Sequence, residues 1–284
     1  MRTTLFAVMV LTGVLLANAC CAQSQQQHDW CYSPTATDDQ TIEGCAAMIE
    51  SGRYTGVELS GLYNNRSTGY DDKGEQGLAA RDLEQAVRLD PTNAEAFFNL
   101  GSIYFHAHKY NLALSELSQA ITLKPGYANA FNYRGLVDET MGDRAGADRD
   151  FDEAIQNFDT MTAATPGDAL PYYKRCWARA IWGRQLDLAL ADCGKALEIN
   201  ANYADALSAR GVVHFRAGRF AEAIKDSDAA VAIDPTSPAY VYVRGLAKRS
   251  NRDPTGAAAD IAVAKAINPK IGEEFADYGL SQPR

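Results

Sequence analysis

The chain has 284 residues and a formal net charge of −9 at pH 7. This length allows two ordinary domains, or one elongated domain if the chain is built from stacked repeats. An acidic chain repels phosphate backbones, and no basic stripe interrupts the sequence, so we expect no nucleic-acid partner.

Residues 1–22 have the pattern of a secretory signal peptide. Arg2 forms a short basic region, Leu5–Leu16 is a largely apolar run, and small residues allow cleavage after Ala19 or after Ala22. The run is too short to span a bilayer as a mature helix, and no other stretch approaches its length. We therefore predict an exported mature chain without a transmembrane segment.

Cys20 leaves a lipid anchor open as an alternative. Bacterial lipoprotein signals place a large aliphatic residue three positions before the lipidated cysteine, and Ala17 stands there in this chain. We favour cleavage without lipid attachment. The expected location is the periplasm, with secretion or lipid anchoring as the alternatives.

The segment after the signal divides into a tether and a first helix. Residues 23–36 begin with the polar run QSQQQH, which lacks apolar periodicity, and we predict a flexible tether there. Thr37 followed by Gln40 is typical of a capping box that opens a helix. We assign residues 37–52 to an N-terminal capping helix that covers the apolar flank of the elements after it.

Residues 53–271 repeat with a period close to 34. One column of small residues consists of Ser67, Gly101, Gly135, Cys176, Gly211 and Gly245. Two further columns are all alanine: Ala79, Ala113, Ala147, Ala189, Ala223 and Ala257, then Ala86, Ala120, Ala154, Ala196, Ala230 and Ala264. Small residues at fixed places allow paired helices to approach closely, so the pattern predicts six helix–turn–helix units.

The units resemble tetratricopeptide repeats (TPR) of the exported, bacterial type. The matching residues of one unit are Phe97, Leu100, Gly101, Tyr104, Ala113, Leu117, Ala120 and Pro125. The resemblance implies an all-α fold, a right-handed α-solenoid of about six TPR units with N- and C-terminal capping helices. The expected units are about 60–93, 94–127, 128–161, 169–203, 204–237 and 238–271, followed by a C-terminal cap and tail over 272–284.

The repeat register breaks once, over residues 158–169. The sequence FDTMTAATPGDA has no proline at the register position where a proline closes most other units, and extra residues precede Cys176. Either the second helix of that unit is prolonged or a loop protrudes there.

Four cysteines remain after cleavage beyond Ala22, and an even number in an exported chain favours disulfides. Cys31 precedes the first helix and Cys45 lies within it, while Cys176 and Cys193 occupy facing positions of paired helices. We predict two disulfides, Cys31 with Cys45 and Cys176 with Cys193. Buried free thiols and a four-cysteine zinc site are the alternatives, and the spacing lacks the close ligand pairs of structural zinc sites.

Two polar columns accompany the small residues. The arginines are Arg66, Arg134, Arg175, Arg210 and Arg244, and the corresponding acids are Asp82, Asp150, Asp192, Asp226 and Asp260. Because functional sites seldom recur every 34 residues, we interpret these columns as structural ion pairs, formed within a hairpin or across a neighbouring seam. A ligand-binding series is the alternative.

The sequence offers little support for catalysis. His106 and His108 are two residues apart, which places them on different faces of a helix, and no HExxH, GxSxG, CxxC or phosphate-binding glycine loop is present. We predict no enzyme activity, no cofactor and no metal.

The resemblance implies that a stripe of the first helices lines a concave groove that binds a peptide segment or a partner protein. The stripe holds Asn64, Thr68, Phe98, Ser102, Phe105, Asn132, Leu136, Tyr173, Trp177, Ser208, Val212, Phe215, Tyr242 and Leu246. Its mixture of aromatic and hydrogen-bonding groups is typical of a binding surface, although the aromatics could also pack between helices. We predict a non-enzymatic interaction scaffold of the cell envelope. The alternatives are an accessory subunit or cryptic hydrolase of an envelope complex, and a self-associating spacer.

Overall fold

The computed structural model describes residues 25–280, and all regular structure in that range is helical. The fifteen helices are α1 (25–32), α2 (Asp38–Glu50), α3 (Gly56–Asp72), α4 (Gln76–Leu89), α5 (Ala94–His106), α6 (Tyr110–Leu123), α7 (Ala128–Met141), α8 (Arg144–Ala164), α9 (Ala169–Trp182), α10 (Leu186–Ile199), α11 (Ala204–Arg216), α12 (Phe220–Ile233), α13 (Pro238–Ser250), α14 (Pro254–Ile267) and α15 (Ile271–Asp277). None of the described helices is both long and apolar enough to cross a bilayer. The predicted signal peptide and Cys20 lie outside the described residues.

The chain forms two compact units, which divide between Ala107 and His108. The first contains α1 to α5. The second contains α6, the four hairpins α7/α8, α9/α10, α11/α12 and α13/α14, and finally α15. Within each unit, consecutive helices pack against one another as in a repeat solenoid.

The first unit begins with two helices joined by a disulfide. Thr37 caps α2, and the reciprocal bonds of a capping box with Gln40 are both present. The predicted tether is not observed over residues 25–32, because these residues form α1, and the Cys31–Cys45 disulfide fixes α1 to α2. Gly44 allows this approach, since an added Cβ would lie 2.8 Å from the Cβ of Trp30.

The small columns of the second unit are buried where its helices meet. Ala147, Ala189 and Ala223 are fully buried. At Gly211, an added Cβ would lie 3.1 Å from the Ser227 hydroxyl oxygen. The helices therefore approach too closely for larger side chains, which explains why the period is marked by glycine and alanine.

The register break prolongs a helix. α8 has 21 residues and continues to Ala164, so the loop alternative is wrong. The added turns are held by packing, because Phe158 is buried in a cluster with Phe131 and Ala178. A prolonged helix is favoured here because its extra length buries a large aromatic side chain.

Substitutions at two helical glycines should change stability in opposite directions. Gly245→Val should lower the free energy of unfolding by about 1 to 3 kcal/mol, because even a Cβ would lie 2.9 Å from the Cγ1 of Ile261. Gly194→Ala in α10 should raise it by about 1 kcal/mol, because no atom lies within 4 Å of the added Cβ and alanine favours the helix. Urea unfolding followed by circular dichroism measures both changes. Equal effects at the two positions would contradict this account of the small columns.

Candidate partner-binding surface

The arginine and aspartate columns meet within their own hairpins. In four of the pairs the guanidinium donates two hydrogen bonds of 2.6 to 2.8 Å to the carboxylate, and the pairs are Arg66–Asp82, Arg134–Asp150, Arg210–Asp226 and Arg244–Asp260. The aspartates are buried. Since both carboxylate oxygens are engaged, these residues tie the two helices of a hairpin together and leave little capacity for a ligand.

The fifth pair is part of a larger cluster. Asp192 accepts hydrogen bonds from Arg175 and also from Arg179, one turn further along α9. Arg175 also donates to Asp159 on the prolonged part of α8, at 2.5 Å. Arg179 lies outside the repeating arginine column, and its position four residues after Arg175 on the same helix was the available signal for its role.

Asp260 shows how such a carboxylate remains ionised. Burial by itself would raise the pKa of Asp260, but the hydrogen bonds and charges of Arg244 and Lys248 outweigh burial and lower the pKa below its ordinary value. Lys248 lies 2.8 Å from the carboxylate. Asp260 is therefore a charged, hydrogen-bonded structural contact.

In the first unit, the predicted stripe is only partly exposed. Asn64 is buried and accepts a hydrogen bond of 3.0 Å from Asn99. Thr68 and Ser102 line a small cavity of about 80 Å³, and Thr68 is exposed. Phe98 is half-buried and Phe105 is fully buried. Phe105 therefore belongs to the core and not to an open groove.

In the second unit, most of the predicted stripe is buried. The buried members are Asn132, Leu136, Ser208, Val212, Tyr242 and Leu246. Tyr173, Trp177 and Phe215 are half-buried. The prediction that all these residues line an open groove is thus wrong for the buried ones, because neighbouring helices and the end of the chain pack over them.

Described residues near the C terminus cover part of this stripe. We use the name C-terminal segment for Ile271–Leu280, and first-helix surface for the surface formed by α7, α9, α11 and α13. The ring of Phe275 lies 5.1 Å from that of Tyr242 on α13, and the ring of Tyr278 lies 5.5 Å from that of Trp177 on α9. The side chains of Tyr278 and Tyr133 on α7 are hydrogen-bonded. The segment packs on the last hairpin, α13/α14, as expected for a C-terminal cap, and it also reaches α7 and α9.

A glycine turn directs the last described residues back into the core. Gly279 has φ +67°, a conformation that glycine adopts without strain. The amide of Leu280 donates to the carbonyl of Phe275 at 2.8 Å, which is the bond of a Schellman motif. Leu280 is therefore buried beside Phe275 in the main apolar cluster of the second unit.

Arg216 holds this turn in place. Its Nη2 donates to the carbonyl oxygens of Tyr278, at 2.7 Å, and of Ile181, at 3.0 Å. Burial lowers the pKa of Arg216. The side chain thus acts as a half-buried donor that links the C-terminal segment to α9, a role that nothing in the repeat pattern predicted.

A tyrosine cluster lies beside the surface. The rings of Tyr173 and Tyr203 are 5.1 Å apart, and the hydroxyl of Tyr240 donates to Asp205 at 2.5 Å. Burial and then the charge of Asp205 raise the pKa of Tyr173, and burial lowers the pKa of Lys174. Both shifts favour the uncharged form of the side chain, as burial does.

The stability of the chain should decline at alkaline pH because of this cluster. Burial, followed by the charges of Asp205 and Asp168, raises the pKa of Tyr203 to about 12. The unfolded chain loses the same proton near pH 10, so the contribution of Tyr203 is complete below pH 10 and is lost between pH 10 and about 12. Urea unfolding across this range measures the decline. Tyr203→Phe should reduce its slope, and an unchanged slope would contradict the assignment.

Among the described residues, no group of three or more His, Cys, Asp or Glu side chains is placed so that it could hold a metal ion. The four cysteines form the two predicted disulfides, Cys31–Cys45 and Cys176–Cys193. Each disulfide joins two helices. In the chain-entropy model, each contributes about 3 kcal/mol to the free energy of unfolding.

Comparison with known sequences identifies the repeats. Residues 70–108 match the family described as TPR repeat, and residues 94–127 and 183–238 match families described as tetratricopeptide repeat. Protein STIP1 homolog of Dictyostelium discoideum is 26% identical over 145 residues, which are 48% of this chain and 26% of that protein. DnaJ homolog subfamily C member 3 of Gallus gallus is 26% identical over 176 residues, 59% of this chain and 35% of that protein. The chain thus spans about a quarter to a third of these relatives.

Solved structures share the fold. A tetratricopeptide repeat protein from Parabacteroides merdae superposes with a TM-score of 0.58 at 16% identity, over 90% of this chain and 96% of that one. PilW, described as a type IV pilus biogenesis factor, superposes with a TM-score of 0.50 at 19% identity, over 75% of this chain and 94% of that one. TPR folds are generally non-enzymatic scaffolds for protein–protein interaction, and no catalytic family is indicated. The repeat matches over residues 70–127 and 183–238, together with the stacked helix hairpins, show that these parts of the chain are similar to tetratricopeptide repeats.

Proposed function

We propose that this protein is a non-enzymatic scaffold of the cell envelope that binds a segment of a partner protein on its first-helix surface. One observation carries the proposal. The surface already holds a short helical segment, the C-terminal segment of the same chain, through aromatic contacts to Trp177 and Tyr242. A surface that accommodates one amphipathic segment has the shape and chemistry to bind another.

Crosslinked capture from the native envelope, followed by mass spectrometry, tests this function. The full chain is compared with Tyr173→Ala/Trp177→Ala, which removes two aromatic contacts of the surface. The control is Leu188→Ala, an exposed residue on the second helix of a hairpin. We expect the double variant to lose the partner and the control to retain it. Equal capture by all three proteins, with circular dichroism unchanged, would reject this surface as the binding site.

The envelope location is part of the proposal. Two disulfides support it, because disulfides form and persist in oxidising compartments. Fractionation of the native cells and thiol alkylation of the recovered protein provide the test. We expect the protein in the envelope fraction with Cys31, Cys45, Cys176 and Cys193 all protected from alkylation. Recovery from the cytosol with reactive thiols would contradict it.

A further inference from the structure

The C-terminal segment presents its apolar side chains on one face. Ile271, Phe275 and Tyr278 are spaced at i, i+4 and i+7, which places them on one side of a helix, and Leu280 follows after the glycine turn. Ile271, Phe275 and Leu280 are at most 4% exposed. These contacts are those of an amphipathic helix bound in a groove.

Polar contacts fix the orientation of the segment. The carbonyl of Tyr278 accepts a hydrogen bond from Arg216, and the carboxylate of Asp277 lies 3.6 Å from the ring of His108. At the other end, Asn268 donates to the carboxylate of Glu274 at 3.0 Å. The contacts with Arg216 and His108 hold the C-terminal part of the segment, and the Asn268 contact closes the turn that precedes α15.

The segment depends on the surface for its helical conformation. α15 has seven residues, which is too short for a stable helix in water. A turn at Asn268 to Lys270 separates it from α14, with the Lys270 amide donating to the Asn268 side chain. The helix is therefore formed by docking, and it can leave the surface without unwinding α14.

The segment also fills its site incompletely. An open cavity of about 390 Å³ remains beside Leu280, with Arg216 and Ser250 among its lining residues and with Phe215 and Phe220 supplying apolar walls. The cavity is open to solvent and has both polar and apolar walls. A competing segment that reached into this space would gain contacts that the C-terminal segment does not make.

We propose that the C-terminal segment is an internal competitor of the partner, and that the partner presents a segment of the same chemistry. That segment is a short amphipathic helix with an aliphatic residue and two aromatic residues spaced at i, i+4 and i+7. It binds the first-helix surface when Ile271–Leu280 is released. This inference rests on the proposed function. It adds the chemical class of the bound segment and the way in which the chain regulates its binding.

The probe is a fluorescein-labelled synthetic peptide with the sequence of residues 268–284, and its fluorescence anisotropy is measured with the full chain. Phe275→Ala/Tyr278→Ala in the full chain weakens the internal segment. We expect this variant to bind the peptide at least about tenfold more tightly than the unaltered chain, a difference of about 1.4 kcal/mol. Val263→Ala, an exposed residue of α14, should bind like the unaltered chain.

The peptide itself provides a second control. The same peptide with both aromatics replaced by alanine should not bind either protein. Equal binding of the unaltered peptide to both proteins, or no binding to a folded Phe275→Ala/Tyr278→Ala variant, would overturn the inference.

A second variant keeps the inference testable if Phe275→Ala/Tyr278→Ala does not fold. A protease site inserted between Asn268 and Lys270 allows the segment to be cut while it stays docked. Exchange of the cut segment for the labelled peptide, with the helix content retained, supports the inference, and absence of exchange overturns it. The two proposals fail separately. Partner capture without peptide exchange rejects only the proposal that the C-terminal segment is an internal competitor. Peptide exchange without any captured partner rejects only the proposed scaffold function.

Discussion

Replacing Asp192 with alanine should lower the free energy of unfolding by about 3 to 5 kcal/mol, because it leaves buried positive charge without its partner. Asp192 accepts from both Arg175 and Arg179. After the substitution Arg175 retains Asp159, but Arg179 retains only the neutral side chain of Gln185, at 3.1 Å. The midpoint of urea unfolding, followed by circular dichroism, measures the loss.

Asp159→Ala is the matched control for this prediction. Asp159 contacts the same Arg175, but its side chain is 52% exposed. Exposed ion pairs contribute at most about 1 kcal/mol, so the control should lose little stability. If Asp159→Ala costs as much as Asp192→Ala, the buried column does not have the structural role assigned to it.

Replacing Phe151 with alanine should have an effect of similar size, about 3 to 5 kcal/mol. Phe151 is 1% exposed, and its ring stacks on that of Trp182 with the centroids 5.6 Å apart. The truncation removes these contacts and leaves a cavity between α7, α8 and α9. Met161→Ala, an exposed position on the same helix, should change stability by less than about 0.5 kcal/mol.

A second substitution, at Gly135, tests the same contact from the facing helix. An added Cβ at Gly135 would lie 3.2 Å from the ring of Phe151. Gly135→Ala should therefore destabilise the unaltered chain, but should stabilise Phe151→Ala by about 1 kcal/mol, because the clash is gone and alanine favours the helix. A double-mutant cycle tests this change of sign. Additive effects would show that Phe151 is not the reason for glycine at position 135.

The candidate surface was predictable only in part. Periodicity placed Tyr173, Trp177 and Tyr242 on first helices, and the structure gives each of them aromatic contacts. Periodicity did not show that Val212 and Leu246 belong to the core, because a repeat pattern fixes a position on a helix and not what packs against it. Arg179 and Arg216 lie outside the repeating columns, so no recurring signal marked them.

The sequence by itself indicated the helix hairpins and favoured the arginine–aspartate pairs and the two disulfides, and the structure decided that each ion pair forms within its own hairpin. These features depend on residues that are close along the chain and held at a constant offset by one hairpin, so spacing indicates which side chains can meet. The tertiary structure alone decided that α8 is prolonged and that Ile271–Leu280 lies along the first helices. Both depend on packing between residues that do not follow the repeat and are distant in sequence, such as Tyr278 and Trp177. These contacts form only where the folded helices bring the two surfaces together.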